Sequence, residues 1–295
     1  LGFDVREHWI EQARFLAKHR TGPGEDIRFE VCDLYDLPRL DLTPFDITLF
    51  NGIFYHLPDP VSGLRIAADL TRELLVVNTA TRNGLPDGLL AFSEEGRSEA
   101  ASGIYGLNWF PTGPGVLTGI LNWIGFPETR CTRWRTIVQN QPPELGRIDM
   151  LAARAGEVFS AFDRPLDQEE LLERIRGIVR TAVRSDATVL VTSGGSDLLL
   201  EIGEPNARHF PEQPEGGEAG RHDAAGAEGV ALVEDLEKLR SQGASYLLVP
   251  ATALAWLEGQ VALLRHLESR YTALWREHGT CILFSLEDDK ALGGG

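Results

Sequence analysis

Cysteine is scarce in this sequence, and the little there is stands apart. Cys32, Cys131 and Cys281 form no CxxC pair, which argues against metal sites and a disulfide framework. Long apolar runs are missing too. The longest, around Leu247 to Leu257, is broken by Pro250 and falls short of the ~20 residues a membrane helix needs. No charged-then-apolar signal segment opens the chain. A reducing, cytoplasmic location and no membrane span are therefore expected. Clustered basic residues are the third absence. The chain carries 28 Lys and Arg against 44 Asp and Glu, a net charge of −16, split as 15 against 20 in residues 1–156 and 13 against 24 in the remainder. Polyanions are recognised largely through phosphate neutralisation by clustered Lys and Arg. A nucleic-acid substrate is thus disfavoured, and the acidity serves solubility equally well.

What is there begins with length. At 295 residues and 43 % hydrophobic content, two domains with ordinary cores are expected. The stretch around which the first is organised is Phe45 to Pro60, FDITLFNGIFYHLPDP. Phe45 to Phe50 reads as a short buried strand between Pro44 and Asn51-Gly52. Asn51, Tyr55 and His56 follow just beyond its carboxyl end, where open α/β sheets bind their ligands. Upstream stand Leu1-Gly2-Phe3-Asp4 as a strand end, a helix from Glu7 to His19, and a strand from Ile27 to Val31 running into Cys32-Asp33-Leu34. Downstream come a helix from Val61 to Leu70 and a strand from Glu73 to Val77. Asn78 to Asn108 is rich in Gly, Ser and Glu and weakly periodic, as lids and specificity loops are. It closes on Tyr105-Gly106-Leu107-Asn108-Trp109-Phe110-Pro111, followed by a helix from Gly113 to Ile124 and strands through Arg130–Ile137 and Gly146–Arg154.

The residue types leave each site open to two readings. Asp4 is a ligand carboxylate or the cap of the next helix. Asp33 is a ligand carboxylate or a turn aspartate. Tyr55 and His56 are acceptor-side groups, His56 a general base and Tyr55 an orienting hydroxyl, or they pack and cap the following helix. Trp109 and Phe110 stack on a ring substrate or belong to the core. No second His or acid stands at ligand spacing, so no metal is expected.

This order of elements, with Asp4, Asp33 and the NGIFYHLPDP loop all at strand ends, resembles the class I S-adenosylmethionine-dependent methyltransferases. Within them it looks closest to the group containing the tRNA wobble-uridine methyltransferases and small methyltransferases of bacterial polysaccharide clusters. The loop of that group reads like G-[VI]-[LF]-Y-H-L-x-[DS]-P, as Gly52 to Pro60 does. The resemblance covers about half the chain. It implies a Rossmann-like α/β sheet with S-adenosylmethionine as cofactor. Asp4 would accept from the ribose hydroxyls, Asp33 from the adenine amino group, and the Leu34 N–H would meet a ring nitrogen, with Asn51 nearby on the cofactor side. It also implies a first strand and glycine-rich turn ahead of Leu1, so the chain reads as N-terminally truncated and is expected to bind cofactor poorly as it stands.

The second half opens with an amphipathic helix in Asp163–Val183, where Asp167 and Glu170 form a capping-box pattern and Leu171, Ile175, Ile178 and Ala182 one apolar stripe. Beyond it Thr188–Val191, Arg208–Pro211, Tyr246–Pro250 and Thr280–Phe284 read as strands, with helices at Val230–Ser241 and through most of Leu254–Trp275. That alternation predicts a mainly parallel sheet. Ser193-Gly194-Gly195-Ser196-Asp197 is a turn or an anion-binding loop, without the Lys of a P-loop. Glu212–Glu228 reads as mobile. The residues TSGGSDLLLE, RHFPE, LRSQGASYLLVPATALAWLE and HLESRYTALW make this half similar to an α/β domain appended to glycosyltransferases and methyltransferases of surface-polysaccharide clusters. That likeness implies a glycosyltransferase as partner. The expected layout is a partial methyltransferase domain at 1–156, a linker at 157–184, an accessory α/β domain at 185–286 and a disordered tail at 287–295. The function expected is methyl transfer to a small-molecule or carbohydrate acceptor; the alternative is a non-catalytic scaffold of a glycan-assembly cluster.

Overall fold

A computed structural model describes residues 1–19, 27–96, 102–138, 141–211 and 227–287, so the segment expected to be mobile and the expected tail lie almost wholly outside the described residues. Strand β1 (Gly2–Asp4), helix α1 (Glu7–Lys18) and strand β2 (Phe29–Val31) open the chain, with β1 and β2 paired in parallel as a sheet of their own. A short 3-10 segment, Leu34–Leu40, leads to β3 (Phe45–Asn51). A 3-10 turn, Phe54–His56, precedes α2 (Pro60–Asp69), which starts where Pro60 fixes φ and the Asp59 carboxylate accepts from the Ser62 N–H at 3.0 Å. Strand β4 (Thr71–Arg82) is longer than the five residues expected. The excursion after it folds as an antiparallel hairpin, β5 (Leu90–Glu94) with β6 (Leu107–Pro111). Then come α3 (Pro114–Trp123), β7 (Glu128–Arg135) and β8 (Leu145–Ala153).

The second half supplies α4 (Gln168–Ala182), whose capping box between Asp167 and Glu170 is formed, then β9 (Thr188–Val191) and β10 (Asn206–His209). Helix α5 (Ala227–Ser241), β11 (Ala244–Pro250), α6 (Leu254–Gly259), α7 (Val261–Arg270), β12 (Thr272–Glu277) and β13 (Cys281–Ser285) complete it. Two expectations are corrected here. The helical segment stops at Arg270, because Thr272–Glu277 forms a hairpin with β13 through Gly279 at φ +69°. The sheet of this half is consequently mixed: β10, β9 and β11 are parallel, whereas β13 and β12 run antiparallel to their neighbours.

All but the two small pairs join one nine-stranded sheet in the order β10-β9-β11-β13-β12-β7-β8-β4-β3. The seam between the halves is β12 against β7, with Trp275, Arg276 and Glu277 facing Arg135, Trp134 and Arg133. Each half nonetheless keeps its own apolar clusters. One gathers Phe50, Phe54, Leu64, Leu75, Leu117, Leu121, Phe126 and Ile148. Another gathers Ile175, Ile178, Val189, Val191, Leu248 and Leu283.

Strand β3 is the sheet's end strand, and only Phe50 in it is buried. Ile47 and Leu49 are 57 % and 65 % exposed, which corrects the expectation of a buried strand. The cause is geometric: among the described residues no strand bridges β3 and β1, and the face carrying Ile47 and Leu49 is left uncovered. Among the described residues, no helix is long and apolar enough to cross a membrane.

One residue pins the base of the N-terminal half. The Arg154 guanidinium donates to the carbonyls of Ala68, Thr71 and Gly125 at 3.0 to 3.3 Å and lies 4.5 Å over the Phe126 ring. Ala68 lies in the last turn of α2, where intrahelical partners run out, Thr71 opens β4 and Gly125 follows α3. A lysine has no planar fork to serve them together. Arg154→Lys is therefore expected to cost about 2 kcal/mol in a urea melt, a hydrogen bond from a charged donor contributing ~1.5–3 kcal/mol.

Candidate functional site

Asp4, Asp33, Asn51, Tyr55 and His56 stand at or just beyond the carboxyl ends of β1, β2 and β3. Asp4 closes β1 and accepts the Arg6 N–H on Oδ1 at 2.8 Å, while its backbone carbonyl takes the Cys32 N–H at 3.0 Å. Asp33 follows β2; Oδ1 caps the 3-10 segment through the Tyr35 N–H at 2.9 Å and Oδ2 accepts the Tyr105 hydroxyl at 2.6 Å. The Leu34 side chain turns inward toward α2 and packs on the cluster around Phe50 and Leu64. Asn51 ends β3 opposite Asn78 and is exposed. Of the two roles left open for Asp33, the turn cap is the one its bonds show.

Tyr55 and His56 sit on the 3-10 turn after β3. The His56 imidazole is 3.0 Å from Glu95 through Nδ1, and the two side chains are only 16 % and 14 % exposed. Glu95 Oε2 also accepts the Gly103 N–H at 2.7 Å. A carboxylate at Nδ1 places the proton there and leaves Nε2 as the free base. Burial is the main force lowering the His56 pKa; Glu95 opposes it and the nearby Arg6 charge adds to it. The net direction is downward, so the ring is neutral at neutral pH. Tyr55 has its phenol pKa raised, chiefly by burial, with Arg147 opposing.

The two aromatic candidates of β6 part company, because alternate residues of a strand face opposite sides. Phe110 is buried and stacks on Tyr55 with ring centroids 5.4 Å apart, while Trp109 packs against Phe92 on the other face of the hairpin at 5.0 Å. The site therefore assembles Tyr55, His56 and Phe110, and Trp109 stands outside that group. Beneath it runs a polar row: Arg147 donates to Asn78 Oδ1 at 2.8 Å, and Asn78 donates in turn to Asp149.

Glu95 and Gly103 escape sequence reading. Both lie in the aperiodic excursion, and only the closure of the β5–β6 hairpin carries Glu95 back over the turn bearing His56. Gly103 allows that closure. A Cβ there would stand 2.9 Å from His56 Nδ1 and 3.0 Å from Glu95 Oε2. Gly103→Ala is expected to cost about 1–3 kcal/mol by overpacking, read in thermal melts, and to part Glu95 from His56. Among the described residues, no group of three or more His, Cys, Asp or Glu side chains could hold a metal ion.

No protein-family model matches this chain, and no curated protein matches it. Solved structures do resemble part of it. The N-terminal domain of EvdMO1, crystallised in the presence of SAH and D-fucose, is 23 % identical over 52 % of this chain and 64 % of its own, with a TM-score of 0.42. Magnesium protoporphyrin IX methyltransferase (ChlM) from Synechocystis PCC 6803 with bound SAM is 15 % identical over 52 % and 58 %, TM-score 0.34. A SAM-dependent methyltransferase from Methanosarcina mazei is 13 % identical over 51 % and 80 %, TM-score 0.37. The chain thus spans less than two thirds of the length of the first two, and each likeness overlaps about half of this chain.

Proposed function

We propose that this chain belongs to the class I S-adenosylmethionine-dependent methyltransferases and transfers methyl groups to a small-molecule or carbohydrate acceptor, in surface-polysaccharide or secondary metabolism. The observation that carries the reading is the His56–Glu95 pair, packed beside Tyr55 and Phe110 at the carboxyl ends of the parallel strands β3 and β4. The motif order from Asp4 to Pro60 agrees with it.

The residues present fit an adenosyl group. Asp4 ends β1 and Asp33 stands two residues beyond the parallel strand β2, and a carboxylate offers about four acceptor positions. One is taken on Asp4 by the Arg6 N–H and two on Asp33 by Tyr35 and Tyr105, leaving capacity for ribose hydroxyls and an exocyclic amine. S-adenosylmethionine supplies, when bound, a methyl group activated by a sulfonium centre. The chain's own part is alignment and deprotonation of the acceptor. His56 Nε2 takes the acceptor's proton, Glu95 holds the ring through Nδ1, and Tyr55, backed by the buried Phe110 ring, gives the flat wall against which a sugar ring or small planar acceptor lies.

The acidic balance and the absence of a basic cluster support an acceptor that is not a nucleic acid, and a glycosyltransferase is the partner that the second half's resemblance suggests. The test is calorimetric titration with S-adenosylmethionine together with transfer of labelled methyl to a panel of sugar nucleotides and hydroxylated small molecules. Cofactor binding with transfer to one of them supports the reading. Neither binding nor transfer, by this chain and by a version extended upstream of Leu1, would favour the scaffold, in which Asp4 and Asp33 serve only the internal bonds they already make.

A further inference from the structure

A second constellation lies at the other end of the sheet, some distance in sequence from the methyl-transfer residues and independent of that reading. Strands β9 and β10 are parallel, with His209, the last residue of β10, in register with Val191. Two residues beyond Val191 the chain turns through Ser193-Gly194-Gly195, the glycines at φ +59° and +87°. This turn sets the Ser193 hydroxyl 2.5 Å from His209 Nδ1, and the far side of the ring, Nε2, 3.1 Å from Asp197 Oδ1. The Gly195 N–H donates to Ser193 Oγ at 3.3 Å. With one acceptor position of Oγ filled by Gly195, its proton is left to point at Nδ1. The Asp197 carboxylate in turn fixes the Nε2–H tautomer, so Nδ1 carries the lone pair that faces the serine.

We propose that Ser193, His209 and Asp197 form a nucleophilic serine site that hydrolyses esters of small acyl groups. A serine, a histidine within hydrogen-bond reach of it and a carboxylate that orients the histidine are the three parts such chemistry needs, recognised by geometry and not by order in sequence. The position agrees: the serine stands on a sharp turn after a parallel strand, outside the carboxyl end of the sheet. A small acyl group is the class proposed because Ser193 as a residue is only 8 % exposed. On the open side, the Asp197 side chain is 94 % exposed and Leu198 38 % exposed, so the alcohol part of the ester can be larger.

In the reaction Ser193 Oγ bonds to the acyl carbon as its proton passes to His209 Nδ1. The carbonyl oxygen takes the negative charge beside the N–H of Gly194, the residue following the nucleophile, where a Cβ would meet nothing within 4 Å. Collapse breaks the ester C–O bond, and the departing alkoxide leaves as alcohol with the proton from Nδ1. Water then adds to the acyl-serine, giving a proton to Nδ1, and Ser193 departs with that proton as the acid is released. Asp197 is a positioning residue, and at its exposure the carboxylate is worth about tenfold, far less than a buried one.

The experiment uses the whole chain, with p-nitrophenyl acetate as substrate and a fluorophosphonate as covalent probe, each protein first checked for an unchanged thermal melt. The expected result is probe attachment mapped to Ser193 by peptide mass, hydrolysis lost in Ser193→Ala, and labelling abolished in His209→Gln. Asp197→Asn should fold normally, being on the surface, and slow hydrolysis about tenfold with a shifted acid limb in its pH profile. Absence of label in folded wild-type protein, label on another serine, or hydrolysis retained by Ser193→Ala would each overturn the proposal. An unchanged rate and pH profile in Asp197→Asn would remove Asp197 from it.

Discussion

Replacing His56 by alanine in a version extended upstream of Leu1 is expected to cut methyl transfer by ~10²–10⁴-fold, the range a general base contributes, with cofactor affinity nearly unchanged. The separation of the two effects is the informative part. His56 faces Glu95 and neighbours the Tyr55–Phe110 stack, whereas the proposed adenosyl contacts fall to Asp4 and Asp33. Equal loss of cofactor binding and of turnover would make His56 a packing residue of the turn after β3. The pH profile gives a second check. Burial lowers the His56 pKa, so the acid limb of kcat should lie below the usual histidine value and activity should be flat at neutral pH. Glu95 is the main group that pulls this pKa back up, with a smaller contribution from Asn108. Glu95→Gln should thus move the limb to still lower pH while dropping the plateau by ~10²-fold or more, because an amide no longer enforces the Nδ1–H tautomer. A limb that moves upward would contradict the geometry. The same shift has a stability consequence: a histidine held neutral in the fold costs stability as pH falls through the unfolded value, where the unfolded chain takes up the proton first.

His56 and Glu95 also mark how far the sequence could be read. His56 stands in a dense local pattern, a strand followed by NGIFYHLPDP, and local patterns survive into structure: β3, the 3-10 turn and α2 fall where Pro44, Gly52 and Pro60 punctuate the chain. The capping box of α4 was equally plain, since its two partners are three residues apart. Glu95 has no such signal. Its partner is 39 residues away, and nothing in a Gly- and Ser-rich stretch announces the hairpin that closes the distance. The same holds for Ser193 and His209, sixteen residues apart in sequence, which only the parallel pairing of β9 and β10 sets side by side. Strand β12 was missed for a different reason. Thr272–Glu277 follows α7 directly through Tyr271, with no Gly or Pro to interrupt the helical reading, and it becomes a strand because both neighbours, β13 and β7, offer free edges. Tertiary pairing there overrides local propensity.

That strand carries the second large effect. Glu277→Ala is expected to split the unfolding of the chain into two steps, the seam between β12 and β7 giving way first. Glu277 is 9 % exposed by its side chain. It accepts the Arg133 Nε–H at 2.8 Å and the Trp275 indole N–H at 3.0 Å, with Arg174 at 3.8 Å. Arg133 belongs to the first half of the chain, and Trp275 and Arg174 to the second. Register makes the contact more than a single bridge. Glu277 is directly opposite Arg133, Arg133 opposite Asp149, and Asp149 opposite Asn78, so one polar row crosses four adjoining strands. Cross-strand neighbours of this kind are the unit of sheet cohesion. Removing the Glu277 carboxylate leaves the Arg133 guanidinium, among the described residues, Asp149 at 3.9 Å and strips the buried indole N–H of its acceptor. Breaking a fully buried ion pair costs ~3–5 kcal/mol; the Arg133 side chain is 40 % exposed, so solvent screening makes the loss here smaller. Each half holds a separate apolar cluster, so the loss falls on the joint and not on either core. Calorimetry should resolve two transitions in Glu277→Ala, with Glu277→Gln intermediate because its amide oxygen, in the place of Oε2, still accepts both N–H groups but carries no charge. A single transition within about 1 kcal/mol of the parent would mean that the nine strands unfold as one cooperative body, and the proposed division of the chain near residues 157–184 into two folding units would be wrong.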